Sequence, residues 1–320
     1  MNPLLLQPGI DFSTSIDIGI TTLSYTLAQA YLPVSKSEAY QVTQHSLGLT
    51  LPFINRTRFS TNYYCALFGG MSHQFRLKGD RPFPFAGLGS PVNLTKENRF
   101  SVDGALRFSI TRSGSPRDFH TPAQVTTDFS ASVPLPVADM ETTGVDASGT
   151  VSFSVPSPIP HQVLKLGAKS RYVSPGLLNN YDYTNTITPR GSYEVTEKEK
   201  EGRLLASLDY LFSIALLDAA LPLGYNMFGF NIQGIGGGVH VEMLGDWQLS
   251  KPCFSLDDYI YVGLELNVEF GTNFGSFPLG SGITFRFDRQ FKQPVEPLKD
   301  LGFYLFFGKD SFNTQMDHFR

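Results

Sequence analysis

From Asp258 to Phe270 the chain alternates without a break. Ile260, Val262, Leu264, Leu266, Val268 and Phe270 are apolar, while Tyr259, Tyr261, Gly263, Glu265, Asn267 and Glu269 are aromatic, small or polar. Strand side chains point alternately to opposite faces, so this run has one wholly apolar face and one hydrated face. It also outlasts the ~5–6 residues of an average soluble strand and reaches the ~9–11 residues that cross a bilayer when tilted. The feature predicts a β-barrel with hydrocarbon outside and water within.

The same two-residue period recurs along the chain. Phe100, Val102, Gly104, Leu106, Phe108 and Ile110 oppose Ser101, Asp103, Ala105, Arg107, Ser109 and Thr111. Thr127–Leu135, Val145–Val155 and Leu204–Ile214 repeat the pattern, and weaker runs fall at Ile10–Leu27, Leu47–Leu67, His161–Ser170 and Ile283–Phe287. A glycine run, Gly234–Gly238, coincides with a slip of the apolar phase and predicts a bulge or bend in one long strand. With Leu301–Gly308 as the last strand, the reading is an all-β, antiparallel transmembrane β-barrel of about fourteen strands, within a range of roughly twelve to sixteen. Residues 1–312 form one barrel domain in this reading and 313–320 a polar C-terminal tail.

Composition agrees with strands and excludes several function classes. Charged residues make up 17% of the 320 and aromatic ones 13%, with 27 Phe and 14 Tyr, and mean hydropathy is near zero. A net charge of -4 leaves no basic footprint for nucleic acid. No run approaches the ~18 consecutive apolar residues of a membrane helix. Two cysteines, Cys65 and Cys253, are too few for a disulfide scaffold or a zinc site, and either one bridge or two free thiols fits them. The six histidines, at 45, 73, 120, 161, 240 and 318, show no metal-ligand spacing. Gly234–Gly238 fails as a dinucleotide loop because no helix follows it, and no nucleophile elbow or paired-carboxylate motif is present. The expectation is a chain that is not an enzyme, with no cofactor and no metal. Membrane lipid is its expected partner.

Charged residues on strands share the polar face. Asp103, Arg107, Glu265, Glu269 and Arg286 are therefore read as lumen charges, Glu265 and Glu269 either pairing with Arg286 or lining an aqueous interior. Residues 79–98 and 171–202 break the alternation and are read as long loops on the extracellular side. The run Glu197-Lys198-Glu199-Lys200-Glu201 is a solvated loop face. The N-terminus, MNPLLLQPGID, lacks the basic and apolar regions of a secretory signal. A barrel requires export, so the chain is expected to be a mature form or the C-terminal part of a longer protein that carries a signal peptide and soluble modules.

Over residues 185–312 the order of features resembles the bacterial surface antigen superfamily, the barrels of outer-membrane assembly factors and two-partner translocators. The features are Thr188-Pro189-Arg190-Gly191-Ser192-Tyr193 in a long loop, the strand Leu204–Ile214, Gly238-Val239-His240-Val241-Glu242, and Phe303-Tyr304-Leu305-Phe306-Phe307-Gly308-Lys309. The resemblance implies a loop folded back into the lumen on Arg190, with Gly191 and Tyr193 completing the motif and Glu242 as the acidic partner. It also implies about five strands after the motif. Pro189 stands where the family has an aliphatic residue, Ser192 where it has an aromatic, and Glu242 where it has Asp. Similar barrels also lie behind β-propeller domains in some outer-membrane proteins. The function implied is bacterial outer-membrane protein insertion or translocation, with periplasmic or secreted proteins as partners. A passive diffusion channel and a soluble β-rich adhesin are the alternative readings.

Overall fold

The computed structural model describes residues 10–33, 38–80, 95–114, 120–137, 139, 143–180, 187–192, 201–220, 231–249, 253–272, 275–290 and 300–307. Four strands open the chain: β1 (Ile10–Ile18), β2 (Thr21–Pro33), β3 (Glu38–Arg58) and β4 (Thr61–Asp80). Next come β5 (Thr95–Arg112), β6 (Ala123–Pro134), β7 (Asp146–Pro156), β8 (Gln162–Val173) and the short helix α1 (Pro175–Asn180). Five more follow: β9 (Gly202–Ala220), β10 (Asn231–Gln248), β11 (Cys253–Thr272), β12 (Gly275–Asp288) and β13 (Leu301–Phe307). The founding run of alternation lies wholly within β11.

The strands form one 13-stranded antiparallel sheet in which each pairs with its sequence neighbours. Two-residue turns close the first hairpins. Gly19 takes a positive φ of 64° between β1 and β2, a conformation that glycine adopts without steric cost, and Phe59 takes 54° between β3 and β4. The weaker run Ile10–Leu27 is thus two strands joined by a tight hairpin. Strand β10 slips register between Ile232 and Gly234 and, against β9, between Ile235 and Gly236, which is the bulge that the glycine run predicts. Thirteen described strands stand where about fourteen were expected. Residues 71–78 lie inside β4, and the stretch read as loop from 79 narrows because β4 reaches Asp80 and β5 begins at Thr95. The loop read from 171 begins later, since β8 continues to Val173. The tail at 313–320 and most of the charged run at 197–200 lie outside the described residues.

Side chains are arranged inside out relative to a water-soluble protein. Ile16, Leu47, Leu49, Phe53, Leu106, Phe129, Phe153, Leu166, Leu264, Leu266, Phe303 and Leu305 are exposed. The buried set includes Ser152, Lys165, Ser207, Asp209, His240, Glu242, Glu265, Asn267 and Thr284. Soluble folds bury the first kind and expose the second. The architecture is therefore an all-β antiparallel barrel of the transmembrane kind, with an apolar skin and a polar bore. Small apolar clusters do occur at the end where β8 meets α1, with Val173, Leu177 and Leu178 packed together, and between β9 and β10, with Leu205 against Leu244.

Cys65 is a free thiol on β4, half-buried and opposite Phe108. The connections β4–β5 and β8–β9 leave the sheet at the same end, as meander topology requires, so the two long loops share a side.

Candidate functional site: a loop arginine seated in the bore

The connection from α1 to β9 turns inward at residues 187–192. Ile187 packs on the Leu205–Leu244 pair, and Arg203 Nη1 donates to the Ile187 carbonyl at 3.2 Å. A tight turn follows, closed by Ser192 N–H to the Pro189 carbonyl at 3.1 Å, with Gly191 at φ 72°. The turn presents Arg190, which is 0% exposed.

Three neighbouring strands receive its guanidinium. Arg190 Nε donates to Glu242 Oε1 at 2.6 Å and its backbone N–H to Glu242 Oε2 at 2.8 Å. Nη1 reaches Glu265 Oε1 at 3.0 Å, and Nη2 reaches Asp209 Oδ1 at 2.5 Å and Ser207 Oγ at 2.8 Å. Ser207 also donates to Asp209 Oδ2 at 2.7 Å. Alternation explains why these groups converge: Ser207 and Asp209 share the inward face of β9, and Glu242 and His240 lie directly across from them on β10. Glu265 pairs in register with Gly238, so it approaches from deeper in the bore. Charge-assisted bonds of this kind are shorter and about twice as strong as neutral ones. Burial works against the charge on Arg190, but Glu242, Asp209 and Glu265 outweigh it and hold its pKa well above the ordinary arginine value.

A second layer ties the site to the end of the sheet. The Tyr304 hydroxyl of β13 donates to the Glu265 carboxylate. His240 packs edge-on to Tyr304 at 6.1 Å between ring centroids and shares a 3.2 Å hydrogen bond with Thr284 of β12. Its ring fills the space over Gly263, where a Cβ would collide with it. The backbones of Gly191 and Gly302 touch so closely that a Cβ on Gly302 would overlap the Gly191 carbonyl. The loop thus rests on β9, β10, β11 and β13 at once.

Of the residues singled out in the sequence, the structure brings Arg190, Gly191, Glu242 and Glu265 together. Tyr193 lies outside the described residues. Glu265 does not pair with Arg286: Arg286 Nη2 binds Asp300 at 3.0 Å, and its guanidinium lies 4.5 Å from the Tyr259 ring centroid. Glu269 sits farther along β11, half-buried, opposite Pro278. Asp103 accepts from Ser101 at 3.1 Å, and Arg107 pairs with Asp128 at 2.8 Å, both far along the sheet from Arg190. Asp209 and Ser207 stand on the polar side of the alternating run Leu204–Ile214, which marks their face but not their part in the site, and Tyr304 has no reading of its own. The signal for Tyr304 was its standing as the one polar side chain in Phe303–Phe307. No group of three or more His, Cys, Asp or Glu among the described residues has the geometry to hold a metal ion.

No family model matches the chain, and no curated protein matches it. Among solved structures, one similar chain is BamA from Haemophilus ducreyi lacking POTRA domains 1–3, at 14% identity and a TM-score of 0.49. The likeness covers 93% of this chain, which spans 61% of the length of that one.

Proposed function

We propose that this protein is an integral barrel of the bacterial outer membrane, of the surface antigen type, in which the loop seated by Arg190 serves the insertion or translocation of other proteins. The observation that carries the reading is the complete burial of Arg190 among Asp209, Glu242 and Glu265 inside the bore. A connecting loop has no reason to sink an arginine there unless its seat is part of how the barrel works. Periplasmic or secreted polypeptides are the clients in this reading, and lipid is the medium.

The dimensions of the skin support a membrane setting. Ten steps from Ile260 to Phe270 at about 3.3 Å each make about 33 Å, and a tilt of about 40° brings this to about 25 Å, the height of an outer-membrane apolar band. Aromatic rows border the band toward the end bearing the long loops. Tyr25, His45, His73 and Phe100 run side by side across β2 to β5, the last two rings stacked at 4.4 Å. Tyr172 and Trp247 stack at 5.4 Å across the side-chain-free Gly202. Girdles of this kind mark membrane interfaces. A soluble adhesin would need the reverse placement of apolar and polar faces.

The test is reconstitution into lipid vesicles with an unfolded barrel protein as client, scored by protease protection of the inserted client. Wild type should accelerate insertion over protein-free vesicles, and Arg190→Ala should remove most of the gain. Equal insertion by wild type, the variant and empty vesicles would end the assignment.

A further inference from the structure

The outward face of the β3–β4 hairpin changes character toward its tip. Leu67 of β4 and its partner Leu106 of β5 belong to the exposed apolar skin. Two residues at a time, the same face runs from Leu67 through Cys65 and Tyr63 to Thr61, and across the ladders to Ile54, Arg56 and Arg58 on β3 and Arg112 on β5. A bulge brings the first two arginines there. Register slips between Pro52 and Ile54, and without that slip the alternation that puts Leu47, Leu49 and Leu51 outside would turn Arg56 and Arg58 into the bore. All three arginines are exposed, and none makes an ion pair among the described residues. The chain has a net charge of -4, yet no Asp or Glu occurs between Glu38 and Asp80. Aromatic rings are the partners instead: Arg56 lies 5.6 Å from the Tyr63 ring centroid and Arg58 5.7 Å from that of Phe59. Phe59 is 92% exposed at the hairpin tip and holds a φ of 54°, a conformation unfavourable for a bulky side chain.

We propose that Arg56, Arg58 and Arg112 bind the headgroup of an anionic phospholipid in the leaflet at the short-turn end of the barrel, a site that rests on the membrane reading above. Depth supports it. Twelve steps of β4 separate Thr61, which pairs with Arg58 and Arg112, from His73 in the aromatic row. At about 3.3 Å a step and a tilt of about 40° they span about 30 Å, the thickness of a hydrocarbon core. The arginines therefore stand at the interface opposite the aromatic row, level with lipid phosphates. Guanidinium groups donate paired N–H bonds to phosphate oxygens, and Tyr and Phe rings settle at the headgroup boundary. Arg58 and Arg112 flank Thr61 on its two sides, about 10 Å apart across two strand spacings, so they can bracket one headgroup. Because the patch continues the apolar skin, a soluble acidic partner would have to displace lipid to occupy it.

Cys65, next to Tyr63 on this face, is the reporter. The full chain carrying Cys253→Ser is labelled at Cys65 with a small fluorophore before folding. It is then folded into phosphatidylcholine vesicles that hold a small fraction of spin-labelled phosphatidylglycerol or, in a parallel set, of spin-labelled phosphatidylcholine. At equal mole fraction, quenching by the anionic probe should correspond to a local enrichment of at least about three-fold over the zwitterionic one, and about 1 M salt should bring the two to parity. Combining Arg56→Gln, Arg58→Gln and Arg112→Gln should bring parity without salt; the salt arm needs no variant and so stands even if that one fails to fold. Equal quenching by both probes in the labelled chain would overturn the proposal and leave the patch to a soluble acidic partner. A preference that survives salt or the glutamine substitutions would overturn it as well. Absence of quenching by either probe would take the membrane barrel with it, and client insertion is scored separately, so each reading can fail alone.

Discussion

Arg190 is set among three carboxylates, and removing it would leave them facing one another in a desolvated pocket. Breaking a buried ion pair by deleting one partner typically costs about 3–5 kcal/mol. Arg190→Ala is expected to destabilise the folded barrel by that order, measured as a lower urea midpoint in detergent micelles. In a double-mutant cycle with Glu242→Gln the two changes should couple by at least about 1 kcal/mol, and additivity within about 0.5 kcal/mol would remove the pair as an energetic unit. Gly302→Ala probes the other support. With backbone against backbone neither side has a flexible side chain to yield, so one methyl group should lift the loop tip and raise protease cleavage within 181–200 while leaving strand content intact by circular dichroism. The Arg190–Glu242 neighbourhood was legible because motif and strand order stood in the sequence. That Glu265 also binds Arg190 was not, because the pairing that sets Glu265 opposite Gly238 is a register between two strands, and the alternation within β11 does not encode it.

At the scale of the strand, two-residue alternation was the most readable property of the chain. It places β7 within one residue of its observed bounds at each end and falls wholly inside β5, β9 and β11, which each run about five or six residues farther at one end, since each has apolar residues on one face and hydroxyl or charged ones on the other. Readings faltered where that contrast fades. Strand β8 carries Lys165, Lys169 and Arg171 on its inward face, yet Gly167 and Ala168 between them blur the pattern, so its continuation to Val173 went unseen. Helix α1 has six residues, too few for a helical period to declare itself. The alternation also yields a depth-dependent test on β11. Leu266→Lys, near the middle of the apolar run, should cost about 2–4 kcal/mol of folding free energy in vesicles, whereas Leu256→Lys near the strand end should cost about 0–1 kcal/mol. Equal costs at the two positions would argue that this face does not meet lipid.

For the molecule as a whole, closed barrels in detergent resist unfolding until heated. Unheated protein is therefore expected to migrate faster than heated protein on a detergent gel, and Arg190→Ala to lower the temperature at which the two bands exchange. The odd strand number has its own geometric result: in a meander of thirteen, β1 and β13 run in the same direction. No ladder joins them among the described residues, so a direct seam between these edges would have to use the slanted bonds of a parallel pair, the weaker of the two ladder types.

The contact between Gly191 and Gly302 also orders events in time. Part of the pad on which the loop comes to rest belongs to the thirteenth strand, so an arriving loop finds its full seat only after the C-terminal stretch has been laid into the sheet. A seated Arg190 is therefore a signature of finished assembly, and a barrel caught short of its final strand should be recognisable by an arginine still within reach of reagents in solution.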